Sequence, residues 1–307
     1  MLGAVYGASS LSVFLLAGVI GYVFSKGFRV VSLRFFTSVT SSFRGTVGIA
    51  GNLVNTLYIV CITLLIAVPV GIGAAVYLDE YAAPGRLVRL TAFAVETLAG
   101  IPSVIFGLFG MTFFGGTLGL GYSLLNGSLT LAIMILPLIV KNTQDALRAV
   151  PAGYREAALG MGAGKWYMIR TVLLPSAMPG IWTGVVLAVG RITVESAALI
   201  FTAGSARMLP GTAGGGWDMI SRALGKTLES GGTLAVELYL QMLNGRYELA
   251  FGIACVLIFL LLGINILIKT VKARYGRMTC PKRKTVRCGP EAEAADWGKD
   301  EAGAEAV

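Results

Sequence analysis

Two ionisable residues stand where few are tolerated. Arg191 and Glu195 are the only charges in the apolar stretch Ile181–Ala203. Ionised groups in such a stretch face a bundle interior or a wet cavity rather than lipid. Four residues apart on a helix, they are expected to share one face. Counted from Pro179, Arg191 falls about 18 Å along the helix axis, near mid-membrane depth. A guanidinium fork suits a tetrahedral oxyanion, to which it offers two parallel hydrogen bonds. A neighbouring carboxylate would keep that cation from trapping its cargo. It would also accept a proton-bearing phosphate oxygen, which sulfate lacks at neutral pH. The competing reading of the pair is a self-satisfied ion pair that serves packing alone. Glu96 is a third acid within an apolar stretch, about 8 Å from its start at Leu90. Its carboxylate is placed to snorkel to the cytoplasmic interface.

Other chemistry is excluded by residue type. The chain has no histidine, so proton relays and metal sites built on imidazole are out. Cys61 and Cys255 sit in apolar runs, where a thiol behaves as a small hydrophobe. Cys280 and Cys288 have a spacing that matches no strong zinc pattern. No metal or cofactor is expected. Gly225-Lys226-Thr227 imitates the end of a phosphate-binding loop, but the glycine required five residues earlier is Ile220. Gly164-Lys165-Trp166 fails likewise, with Leu159 in the glycine position and Trp166 in place of a magnesium ligand. The chain is therefore expected to be no enzyme, and energy for any uphill work must come from a partner ATPase.

The elements that must position these residues are membrane helices. Hydrophobic residues make up 55% of the 307 residues and charged residues 13%, with a mean hydropathy of +0.76, which points to lipid as the solvent. Six stretches are long enough to cross a hydrocarbon core: roughly Leu2–Phe24, Leu53–Leu78, Leu90–Phe114, Leu129–Ala146, Ile181–Ala203 and Leu249–Ile268. The first lacks a basic leading region and a small-residue cleavage site, so it reads as a retained helix. The fold class expected is all-α integral membrane, with about six transmembrane helices. Nine Lys or Arg follow from Lys269 onward, so the positive-inside rule places both termini in the cytoplasm. That topology sets 16 basic residues inside and 8 outside. The segment from Lys26 to Arg44, four positive charges and no acid, runs against the bias. Organisation follows as a first helix with its external segment (1–50), a core of five helices (51–270) and a charged cytoplasmic tail (271–307) of disordered composition. Pro69, Pro102 and Pro137 interrupt three core helices as kinks or hinges. A small-residue cytoplasmic loop (149–178) and a long external loop (204–247), holding the run Gly214–Gly216, join the spans. In the external loop Leu234, Val236, Leu238, Leu240 and Met242 alternate with polar or small residues, a pattern that leaves extended chain and interfacial helix both open.

The cytoplasmic loop carries the most specific pattern. Residues 156–175 read EAALGMGAGKWYMIRTVLLP. Small residues let a short helix sit deep in a partner's cleft, and Gly162 permits a sharp turn after it. Pro151 and Pro175 bound the segment. Glu156, Ala157, Ala158, Gly162, Leu174 and Pro175 resemble the EAA signature of ABC importer permeases, with Val172 in place of the usual Ile. The segments GIGAAVYLDEYA (71–82), ETLAGIPSVIFG (96–107) and RITVESAALIFTA (191–203) resemble the phosphate-specific PstA branch of that family. The fifth-helix pattern of that branch, Arg-Ala-x-Gly-Glu-Thr-x-Pro, is met at Arg191 and Glu195. It is departed from at Val194, Ser196 and Ala198. The resemblance implies a type I ABC importer (MetI-like) permease fold in a bacterial or archaeal inner membrane. It implies ATPase coupling through Glu156, Ala157, Ala158 and Gly162, a substrate path lined by Arg191, Glu195 and, near an inner gate, Glu96. The implied partners are a second, PstC-like permease, two copies of a PstB-like ATP-binding subunit and a PstS-like phosphate-binding protein, with membrane lipid around them and no nucleic acid. Rival readings are a permease for molybdate or sulfate, a self-powered secondary transporter or channel, and a scaffold that signals phosphate status through the tail.

Overall fold

In hydrocarbon every backbone N–H and C=O must be satisfied within the protein, so apolar runs of this length fold as helices. The computed structural model describes residues 2–32, 35–36, 38–41, 46–83, 85–206 and 225–279. Arg34, Arg44, Arg207, Arg222, the glycine run 214–216, Cys280, Cys288 and the tail from position 280 lie outside the described residues. Helix α1 is Leu2–Gly27. A short antiparallel ribbon, β1 (Val39–Ser41) and β2 (Thr46–Ile49), pairs Val39 with Ile49 and Ser41 with Thr46. Then come α2 (Ala50–Tyr81), whose last five residues widen into a π turn, α3 (Arg86–Gly100) and α4 (Ser103–Thr117). They are followed by α5 (Leu124–Arg148), α6 (Ala152–Gly160), α7 (Lys165–Val194) and α8 (Ala197–Thr202). Helices α9 (Leu234–Leu243) and α10 (Tyr247–Thr279) complete the order. Two compact units are distinguished, Met1–Asn265 and Ile266–Val307, and the second carries the final turns of α10.

Helices α1, α2, α5, α7 and α10 are long and apolar enough to cross a membrane, and α3 with α4 makes a sixth span if the pair is counted as one. The third span expected as a single helix is thus broken, its halves meeting at 103°. Pro102 has no N–H for the helical ladder and holds Ile101 extended, at φ −73 and ψ 132. The first half, α3, is amphipathic, with Arg86, Arg89 and Glu96 on the same 15 residues as Leu90 and Phe93. Pro69 and Pro137, by contrast, lie within α2 and α5 without ending them.

Helix α5 is the centre of the fold. Of its apolar window 67% is buried, against 0% for α1. Ser123 caps it, accepting from the Asn126 N–H at 3.1 Å. Its buried hydroxyls turn back on the helix: Ser128 donates to the Leu124 carbonyl at 2.8 Å and Thr130 to that of Asn126 at 2.9 Å. Helices α2 and α7 approach it through glycine. A Cβ on Gly71 would come within 2.6 Å of Ile139, one on Gly180 within 2.6 Å of Ala146, and one on Gly184 within 2.7 Å of Asn142.

The far end of α2 is pinned to the segment before α9. Asn52 and Asn55 both donate to the Gly232 carbonyl, at 3.1 and 3.2 Å, and the Thr56 hydroxyl accepts from the Leu234 N–H at 3.0 Å. The run from Leu234 is helical, not extended. Thr233 caps it by accepting from the Val236 N–H at 3.3 Å, and Gly245, at φ +70, closes it. Local caps at both ends decide what side-chain alternation left open.

Candidate functional site

The hairpin α6–α7 is built around one turn. Helix α6 starts after Pro151, whose carbonyl accepts from the Tyr154 N–H at 3.1 Å. It ends in a Schellman motif: Gly162 N–H donates to the Leu159 carbonyl at 2.9 Å and Ala163 N–H to that of Ala158 at 3.1 Å. Gly162 holds φ +80, the left-handed region that side chains disfavour. Ala158 is 3% exposed and packs with Leu147, Val150, Met168, Ile169 and Leu173. Its small size is therefore needed inside this chain, while the same residue also reaches the floor of an outward-facing groove. Glu156 and Ala157 do face outward. Around them Tyr154, Leu159, Met161, Trp166 and Tyr167 are exposed, and Pro151, Gly153, Tyr154, Ala157, Ala158, Met161 and Val172 line an apolar groove.

Two acids unremarked as site residues in the sequence hold this hairpin. Glu80 receives Arg155 through Nε at 3.1 Å and Nη2 at 3.0 Å. The same guanidinium donates to the Val150 carbonyl at 3.2 Å and the Leu147 carbonyl at 3.0 Å. The Leu147 carbonyl belongs to the last turn of α5, where cations are favoured, and that of Val150 to the linker just after it. Asp79 receives Arg148 at 2.8 Å and Gln144 at 3.2 Å. Lys165 lies 5.1 Å over the Tyr81 ring, a cation–π contact. The available signal was an adjacent acid pair closing a long uncharged run, since acids at a membrane edge seek nearby cations.

The membrane-embedded candidates are arranged otherwise than expected. Helix α7 ends at Val194, and Glu195 is extended, at φ −72 and ψ 123. Arg191 and Glu195 therefore do not share a helical face. The Glu195 carboxylate instead accepts the Ala198 N–H at 3.2 Å and so caps α8. Position 198 is proline in the pattern this segment resembles, and proline has no N–H to satisfy. Arg191 forms no hydrogen bond or ion pair among the described residues, which sets aside the packing ion pair. It lies on an exposed stripe of α7 with Ser176, Pro179, Thr183, Leu187 and Val194. The contacts Gly180–Ala146 and Gly184–Asn142 set the antiparallel register of α7 on α5. Continued, that register brings Arg191 level with Ile135, close to the middle of α5. Glu96 is elsewhere, exposed on α3 and 3.4 Å from Lys141 near the hairpin end of α5. Among the described residues no group of three His, Cys, Asp or Glu is placed to hold a metal ion.

Comparison with known proteins places this arrangement. The profile of the family described as "Binding-protein-dependent transport system inner membrane component" matches residues 67–277. The probable ABC transporter permease protein YqgI of Bacillus subtilis is 40% identical over 190 residues, 62% of this chain and 65% of that protein. The phosphate transport system permease protein PstA of Mycobacterium leprae is 32% identical over 260 residues, 82% of this chain and 80% of that one. The aligned part spans a little under two thirds of the Bacillus relative. Among solved structures, a chain of the bacterial ABC transporter involved in import of the acidic polysaccharide alginate superposes with a TM-score of 0.59 at 17% identity, covering 88% of this chain and 95% of that chain. The fold is that of type I ABC importer permeases, all-α and crossing the membrane several times.

Proposed function

Because the chain belongs to the family of binding-protein-dependent transport system inner membrane components, we propose that it is the membrane-spanning permease subunit of an ATP-driven importer of inorganic phosphate. The observation that carries the substrate class is Arg191. An unpaired guanidinium in the last turn of α7, level with the middle of α5 and on a stripe that also presents Ser176 and Thr183, faces water or a partner rather than lipid. A second permease subunit set against that stripe completes a path in which Arg191 meets the anion with a bidentate fork. Glu195 lines the same path while capping α8, and Glu96 stands towards the inner mouth. The α6–α7 hairpin offers Glu156, Ala157 and the apolar groove to an ATP-binding subunit, of which two copies serve the permease pair. The hairpin and both termini are then cytoplasmic, and the external loop meets a phosphate-binding protein. PstA-named relatives at 32–37% identity favour phosphate.

The test is Arg191→Gln in a reconstituted complex that still hydrolyses ATP. Phosphate uptake is expected to fall at least tenfold, and unchanged uptake would refute the role. One observation favours a different oxyanion: Val194, Ser196 and Ala198 depart from the pattern, and Glu195 is engaged as a cap. Uptake of labelled phosphate against excess molybdate or sulfate separates the two. Loss of phosphate uptake under that excess would support the second reading, and unchanged uptake the first.

A further inference from the structure

We propose that α2 is the strut by which the hairpin's displacement crosses the membrane, with Glu80 and Asp79 as its inner joint and Asn52, Asn55 and Thr56 as its outer one. The proposal rests on the reading of the hairpin as the surface that an ATP-binding subunit moves. Successive residues on a helical turn point in different directions, so the neighbouring acids of the π turn reach different neighbours. Asp79 takes Arg148 and Gln144 of α5 while Glu80 takes Arg155 of α6. Both acids have nearly buried side chains, 8% and 9% exposed. Partly buried charge-assisted bonds of this kind hold geometry more tightly than surface pairs. Arg155 also grips the Leu147 carbonyl in the last turn of α5 and the Val150 carbonyl just beyond it, so one guanidinium joins the ends of three helices. On the opposite face the hairpin has apolar groups exposed, Met161 at 82% among them. A body with a polar hinge on one face and a bare apolar surface on the other is built to be pushed.

From Asn55 to Glu80 the helix runs about 38 Å. Its outer end is not free to slide. Asn52 and Asn55 are 1% and 0% exposed and hold the carbonyl of Gly232, and Thr56 holds the first N–H of α9. Between the two joints α2 lies against α5 so closely that Gly71 has no room for a Cβ. Movement of α6 is thereby delivered to the segment 230–234, and a load on that segment is delivered to α6. Glu80 and Arg155 act through the helix and touch no substrate, so they are positioning residues.

The experiment is ATP hydrolysis and anion uptake in proteoliposomes holding the complete complex, scored as anions moved per ATP. Glu80→Gln is expected to lower that ratio at least fivefold, as is Arg155→Gln. The double variant should be no worse than either alone, because both act through one joint. Asn52→Ala with Asn55→Ala should lower the stimulation of hydrolysis by loaded binding protein at least threefold. A wild-type ratio in Glu80→Gln, or multiplied losses in the double variant, would overturn the proposal. Loss of the ATP-binding subunit from the Glu80→Gln complex on gel filtration would overturn it too, by making Glu80 an assembly residue. Should the wild-type complex move another anion, the phosphate reading fails, while the ratio is still measured with that anion.

Discussion

Replacing Gly162 by alanine isolates the backbone contribution of the hairpin turn. A Cβ at Gly162 would meet nothing within 4 Å, so no steric clash contributes. What remains is φ +80, and an L-residue held in that region is disfavoured by roughly 1–2 kcal/mol. If docking of the ATP-binding subunit requires the closed Schellman turn, that penalty falls on the docked state. A loss of 1–2 kcal/mol weakens binding by roughly 5–30-fold, at about 1.4 kcal/mol per decade. Gly160 is the matched control. It too has nothing within 4 Å of a Cβ, but it is helical, so Gly160→Ala should bind no worse than wild type. Gly162→Asn should fall between, because asparagine visits the left-handed region more readily. The assay is titration of the ATP-binding subunit against the permease pair in nanodiscs. Wild-type affinity in Gly162→Ala, or an equal loss in Gly160→Ala, would show that docking does not depend on the left-handed turn.

Ala158→Leu overfills the cluster around Leu147 and Met168 and should destabilise the hairpin by about 1–3 kcal/mol, read as faster proteolysis at the loop in membranes. Gly110→Ala would drive a Cβ into Thr130 and to 2.7 Å from Thr202, so the melting temperature in detergent should drop by several degrees. Met161→Cys, at an exposed position, should react with an impermeant maleimide in inside-out vesicles and not in intact cells; the opposite result would place the hairpin outside. Ala198→Pro removes the N–H that Glu195 caps, and should leave α8 in place while altering anion selectivity in uptake competition.

Composition and local pattern alone make lipid the solvent, mark most of the long apolar helices and fix the hairpin turn. Hydropathy adds residue by residue over about 20 positions, so α1, α2, α5 and the apolar part of α10 are legible with ends only a few residues out, whereas α7 starts 16 residues before the expected Ile181 and ends nine before Ala203. Gly162 is equally legible, because the left-handed region is a local property of one residue. Tertiary structure decided the rest. Whether a proline kinks or breaks a helix depends on what its freed carbonyls and the following turn can pack against. Pro69 and Pro137 lie within continuous helices, and Pro102 marks a 103° bend where Gly107 and Gly110 let α4 close on α8. Spacing placed Arg191 and Glu195 on one face only on the assumption of unbroken helix, and the break at Glu195 parts them. The partners of Asp79 and Glu80 lie 65 to 75 positions along the chain, and no local rule relates residues so far apart. Folding brings them together because a charge at the edge of a low-dielectric core must find its opposite nearby.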